Sequence, residues 1–185
     1  MNIQTPVIMW FRNDLRLSDN RALNAALRSG SPVILLFILD RNILDGDRTG
    51  VPRANFLREA LVSLDRSLQA RGSALLVGEG RPEAFIPRLI QETGATALYF
   101  NRDYSPYALR RDTAVEAAVR VPVHRFDDRL LVAPGDVMKA EGSPYTVFTP
   151  FKRQWLTLPK PAPEPVPYAG APLVSMQEGL PLAQG

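Results

Sequence analysis

The side chains able to do chemistry are few in kind. The 185-residue chain has no cysteine and one histidine, His124. Disulfides, thiolate zinc sites, iron–sulfur ligation and a cysteine nucleophile are excluded. So is a histidine-rich metal site, and a Ser-His-Asp triad would have to use His124. What remains is carboxylate, arginine or hydroxyl chemistry, or chemistry carried by a bound cofactor. Such groups gather in four places. The segment 12-RNDLRLSDN-20 holds Arg12 and Arg16 with Asp14 and Asp19. Its arginines either meet an anion at the following helix N-terminus or pair with the aspartates and lock the loop. Asp40 follows the most apolar run of the chain. A carboxylate there either hydrogen-bonds a ribose or heterocycle, or caps the next turn. The segment 101-NRDYSPY-107 offers Asn101, Asp103, Tyr104 and Tyr107. Amide, carboxylate and aromatic groups together suit a planar ring, while Asn and Asp ahead of Ser-Pro are also ordinary helix-start residues. Asp127 and Asp128 read either as paired catalytic carboxylates or as a turn and ion pairs with Arg125 or Arg129.

These segments sit between elements that must position them. The apolar runs 7-VIMWF-11, 33-VILLFIL-39, 74-ALLV-77 and 97-ALYF-100, and the segment 121-VPVHRF-126, predict strands. Between them, residues 19–30, 53–71, 83–93 and 106–120 predict helices. Ser18 or Asp19 is the expected cap of the first, with Gly30 at its C′ position. Leu57, Leu61, Leu64 and Leu68 form one apolar stripe on the second. Pro87 is awkward in the third. The strict alternation predicts an α/β fold: a Rossmann-like open five-stranded parallel sheet with helices on both faces. Ligands of such sheets bind beyond the carboxyl ends of the strands. That is where residues 12–19, 40–52, 78–82 and 101–106 fall. A last short helix is expected over 150–157, with Thr149 as cap, Pro150 at N1, and Phe151 and Trp155 on one face.

Composition sets the outer limits. At about 100–200 residues per domain, the length allows one domain. Residues 1–158 are read as that domain. Residues 159–185 hold seven of the 17 prolines and read as an extended linker or wrapping tail. A net charge of +3, from 22 basic and 19 acidic residues, permits a nucleic-acid partner without arguing for one. No apolar run approaches the roughly 18 residues of a membrane span. The first residues lack the pattern of a secretory signal, which makes the cytoplasm the expected location. Neither G-x-G-x-x-G nor G-x-x-x-x-G-K-[ST] is present, which excludes the standard dinucleotide and P-loop fingerprints.

Five ordered segments carry a family resemblance: 10-WFRNDLRLSDNRAL-23, 38-ILD-40, 53-RANFLREALVSLDRSLQARGSALLV-77, 99-YFNRDYSPYALRRD-112 and 145-YTVFTPFKRQWL-156. Together they resemble the N-terminal α/β domain of DNA photolyases and cryptochromes over about residues 6–158. In that family the domain holds an antenna chromophore and passes excitation to FAD in a separate helical domain, which repairs pyrimidine dimers. The resemblance implies cofactor-binding roles for Arg12, Phe37, Asp40, Asn101, Asp103 and Tyr107, and no catalytic or metal-binding residue. The implied antenna is 8-hydroxy-5-deazaflavin or FMN. Methenyltetrahydrofolate is disfavoured because the folate type has an Asn-Glu pair where this chain has Tyr107 and Ala108. The FAD-binding helical domain is the implied partner, missing from this chain or separately encoded, and DNA is engaged only through it. Deoxyribodipyrimidine photo-lyase activity is therefore not expected of the chain by itself. Trp10 and Trp155 lie in α/β-domain motifs and are not read as an electron relay. The alternatives are a non-catalytic interaction or regulatory module, or a truncated fragment, without chromophore. A different Rossmann-like nucleotide binder lacks its glycine-rich loop here.

Overall fold

In a computed structural model, which describes residues 5–44, 50–133 and 135–165, the first two apolar runs form the middle of a sheet. Strand β1 (Val7–Phe11) pairs in parallel with β2 (Val33–Leu39), Val7 opposite Val33 and Phe11 opposite Phe37. Strands β3 (Leu76–Glu79), β4 (Leu98–Asn101) and β5 (Val123–Phe126) complete the order β3-β2-β1-β4-β5, all parallel. The chain winds outward from β1 to β3, then crosses to β4 on the other side. The switch point therefore lies between β1 and β4, and the crevice at their carboxyl ends is where a ligand is expected.

Alternation of side chains builds two cores. On one face Val7, Met9, Phe11, Leu35 and Phe37 pack against helices α1 (Arg21–Arg28) and α3 (Val51–Gln69). The expected leucine stripe does this work: Leu61, Leu64 and Leu68 are buried, with Leu57 partly so. On the other face Ile8, Trp10, Ile34, Leu36, Leu98 and Phe100 meet helices α4 (Pro82–Thr93) and α5 (Pro106–Ala118). A short helix, α2 (Arg41–Leu44), follows β2 where a loop was expected.

Several boundaries differ from the sequence reading for local reasons. The cap of α1 is Asn20, whose side chain accepts from the Leu23 amide, while Asp19 takes a positive φ of 50°. Gly30 does adopt the left-handed conformation, φ 75°, just past the helix. Strand β3 starts two residues later than the apolar run because its partner decides it: Leu36–Leu39 pair with Leu76–Glu79. Gly78, inside that strand, is required by packing, since a Cβ there would lie 2.2 Å from the Phe85 ring. Helix α4 continues through Pro87, and Gly94 at φ 67° ends it. Helix α6 (Phe148–Thr157) begins at Phe148 after Val147, not after Thr149. Pro150 then lies in the first turn, where no helix carbonyl awaits its missing N–H.

The chain beyond β5 is irregular, and α6 buries none of its residues. Val147, Phe148 and Leu156 are exposed. The Pro-rich segment 159–165 runs back over α1. Asp19 and Glu164 are joined by two hydrogen bonds, the Asp19 amide donating to the Glu164 carbonyl and the Glu164 amide to Asp19 Oδ1. Asn24 and Arg28 both donate to the Glu164 carboxylate. Residues 166–185, the rest of the predicted tail, lie outside the described residues. Among the described residues no helix is long and apolar enough to cross a membrane.

Candidate functional site at the carboxyl ends of the sheet

The residue after β1 is Arg12, and the fold commits it to structure. Its Nη1 donates to both carboxylate oxygens of Asp112 on α5, at 2.6 and 2.7 Å. Both side chains are buried. The guanidinium lies 4.7 Å from the Phe100 ring centre and 5.1 Å from that of Trp10. Burial lowers the Arg12 pKa, partly offset by Asp112. A buried ion pair of this kind holds α5 against the ends of β1 and β4.

Asn101, at the end of β4, is equally occupied. Its amide donates to Asp14 at 2.5 Å and to Asn20 at 2.8 Å, and its oxygen accepts from the Ala22 amide. It joins the first loop, the cap of α1 and β4 in one network. Asp103 accepts from Asn13, from the Ser105 amide and from Arg129. Burial alone would raise the Asp103 pKa, but the Ser105 amide and Arg129 outweigh it and hold the carboxyl below its ordinary value. Between these groups lies a cavity of about 40 Å³, lined by Arg12, Asn13, Asp14, Asn101, Asp103 and Arg129 among others. That is room for a few waters, far below the roughly 300–1,000 Å³ of a cofactor pocket. A three-ring chromophore does not enter here.

Asp40 and Tyr107 meet on the neighbouring side. Asp40, at the end of β2, is 5% exposed. Its Oδ1 accepts from the Asn42 amide and its Oδ2 from the Tyr107 hydroxyl at 2.5 Å. The cap reading of Asp40 is thus realised, and a second oxygen still faces an aromatic. Tyr107 is half-buried, and burial followed by the Asp40 hydrogen bond raises its pKa. Arg111 lies 5.7 Å from the Tyr107 ring centre and 4.9 Å from that of Trp10. The result is a partly buried phenol, a buried carboxylate and a cation at one rim of the sheet. A phenol and a carboxylate are groups of the kind that stack on and hydrogen-bond a planar heteroaromatic ring. Phe37 is elsewhere, buried in the core on the α1–α3 face. Residues 45–49 of the expected second loop lie outside the described residues.

The expected site residues therefore fall into groups. Asp40 and Tyr107 are together; Asn101 and Asp103 line the small cavity; Arg12 lines it and reaches α5; Phe37 is apart from them in the core on the α1–α3 face. Sequence reasoning missed Arg111, Asp112 and Trp10. The signal was 110-RRD-112 on α5, which looks like any charged helix surface until Asp112 is seen to be buried. The pair Asp127 and Asp128 is structural. Tyr104 donates to Asp127, and Arg16 pairs with Asp128 at 2.6 Å, so the partners are neither Arg125 nor Arg129.

Comparison with known proteins agrees with this fold. The family model for DNA photolyase matches residues 7–168. A deoxyribodipyrimidine photo-lyase of Synechococcus sp. is 38% identical over 165 residues, covering 88% of this chain and 34% of that protein. A class III photolyase from Agrobacterium tumefaciens superposes with a TM-score of 0.80 at 36% identity, over 89% of this chain and 34% of that one. An archaeal photolyase from Sulfolobus tokodaii, solved with two FAD molecules, gives a TM-score of 0.80 at 28% identity, over 92% of this chain and 38% of that one. The chain thus spans about a third of the length of these relatives. With the motifs, the sheet order and the match over most of its length in agreement, the chain belongs to the DNA photolyase family.

Proposed function

We propose that this α/β domain holds a light-harvesting chromophore at the rim formed by Asp40 and Tyr107. The single observation that carries the reading is this pair: a buried carboxylate and a partly buried phenol joined at the carboxyl end of a parallel sheet, beside the switch point. Tyr107 supplies the stacking face, and Asp40 accepts from the ring. Arg12 and Asn101 act as positioning residues, holding α5 and the first loop. Asp103 lines the neighbouring small cavity, and Phe37 lies in the core on the α1–α3 face. When bound, the chromophore would absorb light and pass on its excitation. A deazaflavin or flavin suits the aromatic rim, and the second FAD of the archaeal relative is a precedent for a flavin in such a role.

Light-driven repair of pyrimidine dimers would then need a helical FAD-binding region, which also engages the DNA. The exposed Val147, Phe148 and Leu156 around α6 give such a region an apolar surface, and the Pro-rich segment gives it a tether. In this reading the domain proper ends near residue 158.

The test is spectroscopic. The purified chain is titrated with FMN, a deazaflavin or methenyltetrahydrofolate, and the near-UV and visible spectrum is followed. Saturable binding of FMN or deazaflavin, lost in the Asp40→Ala/Asp103→Ala double variant, is the expected result. Binding of none of them would sink the proposal.

A further inference from the structure

The scaffold uses only part of the Arg12 guanidinium. Both bonds to Asp112 are made by Nη1, while Nη2 is buried and has no hydrogen-bond partner among the described residues. A buried donor without an acceptor is costly, and more so on a charged group. Asp112 is also divided, because Arg111 donates to it as well. One buried carboxylate thus answers two guanidiniums. On its other side Arg12 lines the small cavity at the carboxyl ends of β1 and β4, together with Arg16, Arg102 and Arg129. Three carboxylates share that lining, so guanidiniums outnumber them four to three. The carboxylates are occupied. Asp14 accepts from the Arg12 amide and Asn101, Asp103 from Asn13, the Ser105 amide and Arg129, and Asp128 from the Arg21 amide and Arg16. Every oxygen of the three has a protein donor, and none of them serves Nη2.

We propose that this cavity binds one small tetrahedral oxyanion, a phosphate or the terminal group of a small phosphate ester, through Arg12 Nη2 on its buried side and Arg129 on its exposed side. Water would satisfy Nη2 but brings no charge, whereas an oxyanion brings both an acceptor and a negative charge. The size agrees. About 40 Å³ takes a few waters, which is also the space of a few phosphate oxygens, and it excludes a ring system. The position agrees too, since the switch point of a parallel sheet is where such groups bind. Arg12 follows β1 and Arg129 follows β5, so the bound ion would join the centre of the sheet to the segment after its last strand. This inference does not rest on a chromophore at Asp40 and Tyr107.

The test is isothermal titration calorimetry of the full chain with inorganic phosphate at constant ionic strength, so that general screening does not change. One saturable site is expected, and the melting temperature should climb with phosphate, as binding to the folded form requires. Arg129→Ala leaves the Arg12–Asp112 pair in place and should weaken binding roughly tenfold. Arg12→Lys removes Nη2 and should abolish it; if that variant does not fold, Arg129→Ala carries the comparison. Arg88→Ala, at an exposed arginine of α4 beside Glu92, should bind as the wild type does. Glycerol 3-phosphate separates the two sources: tighter binding than phosphate assigns the site to an ester, weaker binding to the free ion. No saturable binding of phosphate by the wild type, or equal affinity in wild type and Arg129→Ala, would overturn the proposal and leave the chromophore reading standing.

Discussion

At the residue scale, the polar groups at the sheet rim divide into those that hold the fold and those that face outward. Arg12 looked like an anion contact by its position, yet its partner is Asp112, one hundred residues away. Removing one member of a buried ion pair leaves the other uncompensated, so Asp112→Asn should destabilise the domain by about 3–5 kcal/mol in urea unfolding. Asp103 makes a contribution that depends on acidity. Its folded pKa lies below the ordinary 3.8, so its share of stability is present above that value and lost as pH falls through the folded one. Asp103→Asn should flatten the acid limb of a stability–pH curve. Tyr104 acts at the opposite end. Burial, then the hydrogen bond to Asp127, raises its pKa from 10.0 to about 12. Its share of stability is full below pH 10 and disappears as pH rises towards 12. Phenolate absorbance should show this late titration, and Tyr104→Phe should remove it. None of these roles is readable from 101-NRDYSPY-107 alone. The same amide and carboxylate types serve a turn, a cap or a ligand, and only the neighbours tell them apart.

At the element scale, the period of the sequence identified every strand and every long helix, because apolar alternation and the leucine stripe are direct traces of the two cores. What it missed were boundaries decided by a partner. Ala74 and Leu75 read as strand, but pairing with Leu36–Leu39 begins the ladder at Leu76. Gly78 would by itself suggest a break, yet it lies inside β3 because the Phe85 ring of α4 occupies the place of its side chain. Gly78→Ala should cost about 1–3 kcal/mol by overpacking, read as a lower midpoint in chemical denaturation. Adding Phe85→Leu should recover part of that loss, since the ring is the obstacle. Helix α6 shows the reverse case. Its aromatic pair, Phe151 and Trp155, is partly buried, while Phe148, at the first helical position, is 71% exposed.

At the scale of the whole molecule, the domain is closed by its own tail. Glu164 fastens the Pro-rich segment to α1 through Asp19, Asn24 and Arg28. The carboxylate contact with Arg28 is exposed and that with Asn24 part-buried, while the two bonds to Asp19 use the Glu164 backbone and survive substitution, so Glu164→Ala should change global stability by only about 1 kcal/mol. It should instead loosen the segment, seen as faster proteolysis after Lys160. Residues 158–161 also border, with Asp127, Asp136 and residues 130–133, an open cavity of about 630 Å³, and freeing the tail would remove one of its walls. The sequence by itself determined the alternating α/β class, the absence of thiol and standard phosphate-loop chemistry, and the family motifs. Those follow from residue types and from periods short enough to read along the chain. Only the tertiary structure decided that β1 lies at the centre, that Asp40 meets Tyr107, and that Arg12 and Asn101 serve the scaffold. Each of those depends on residues far apart in sequence brought together by crossovers, and no local pattern records which distant side chain a buried charge will find.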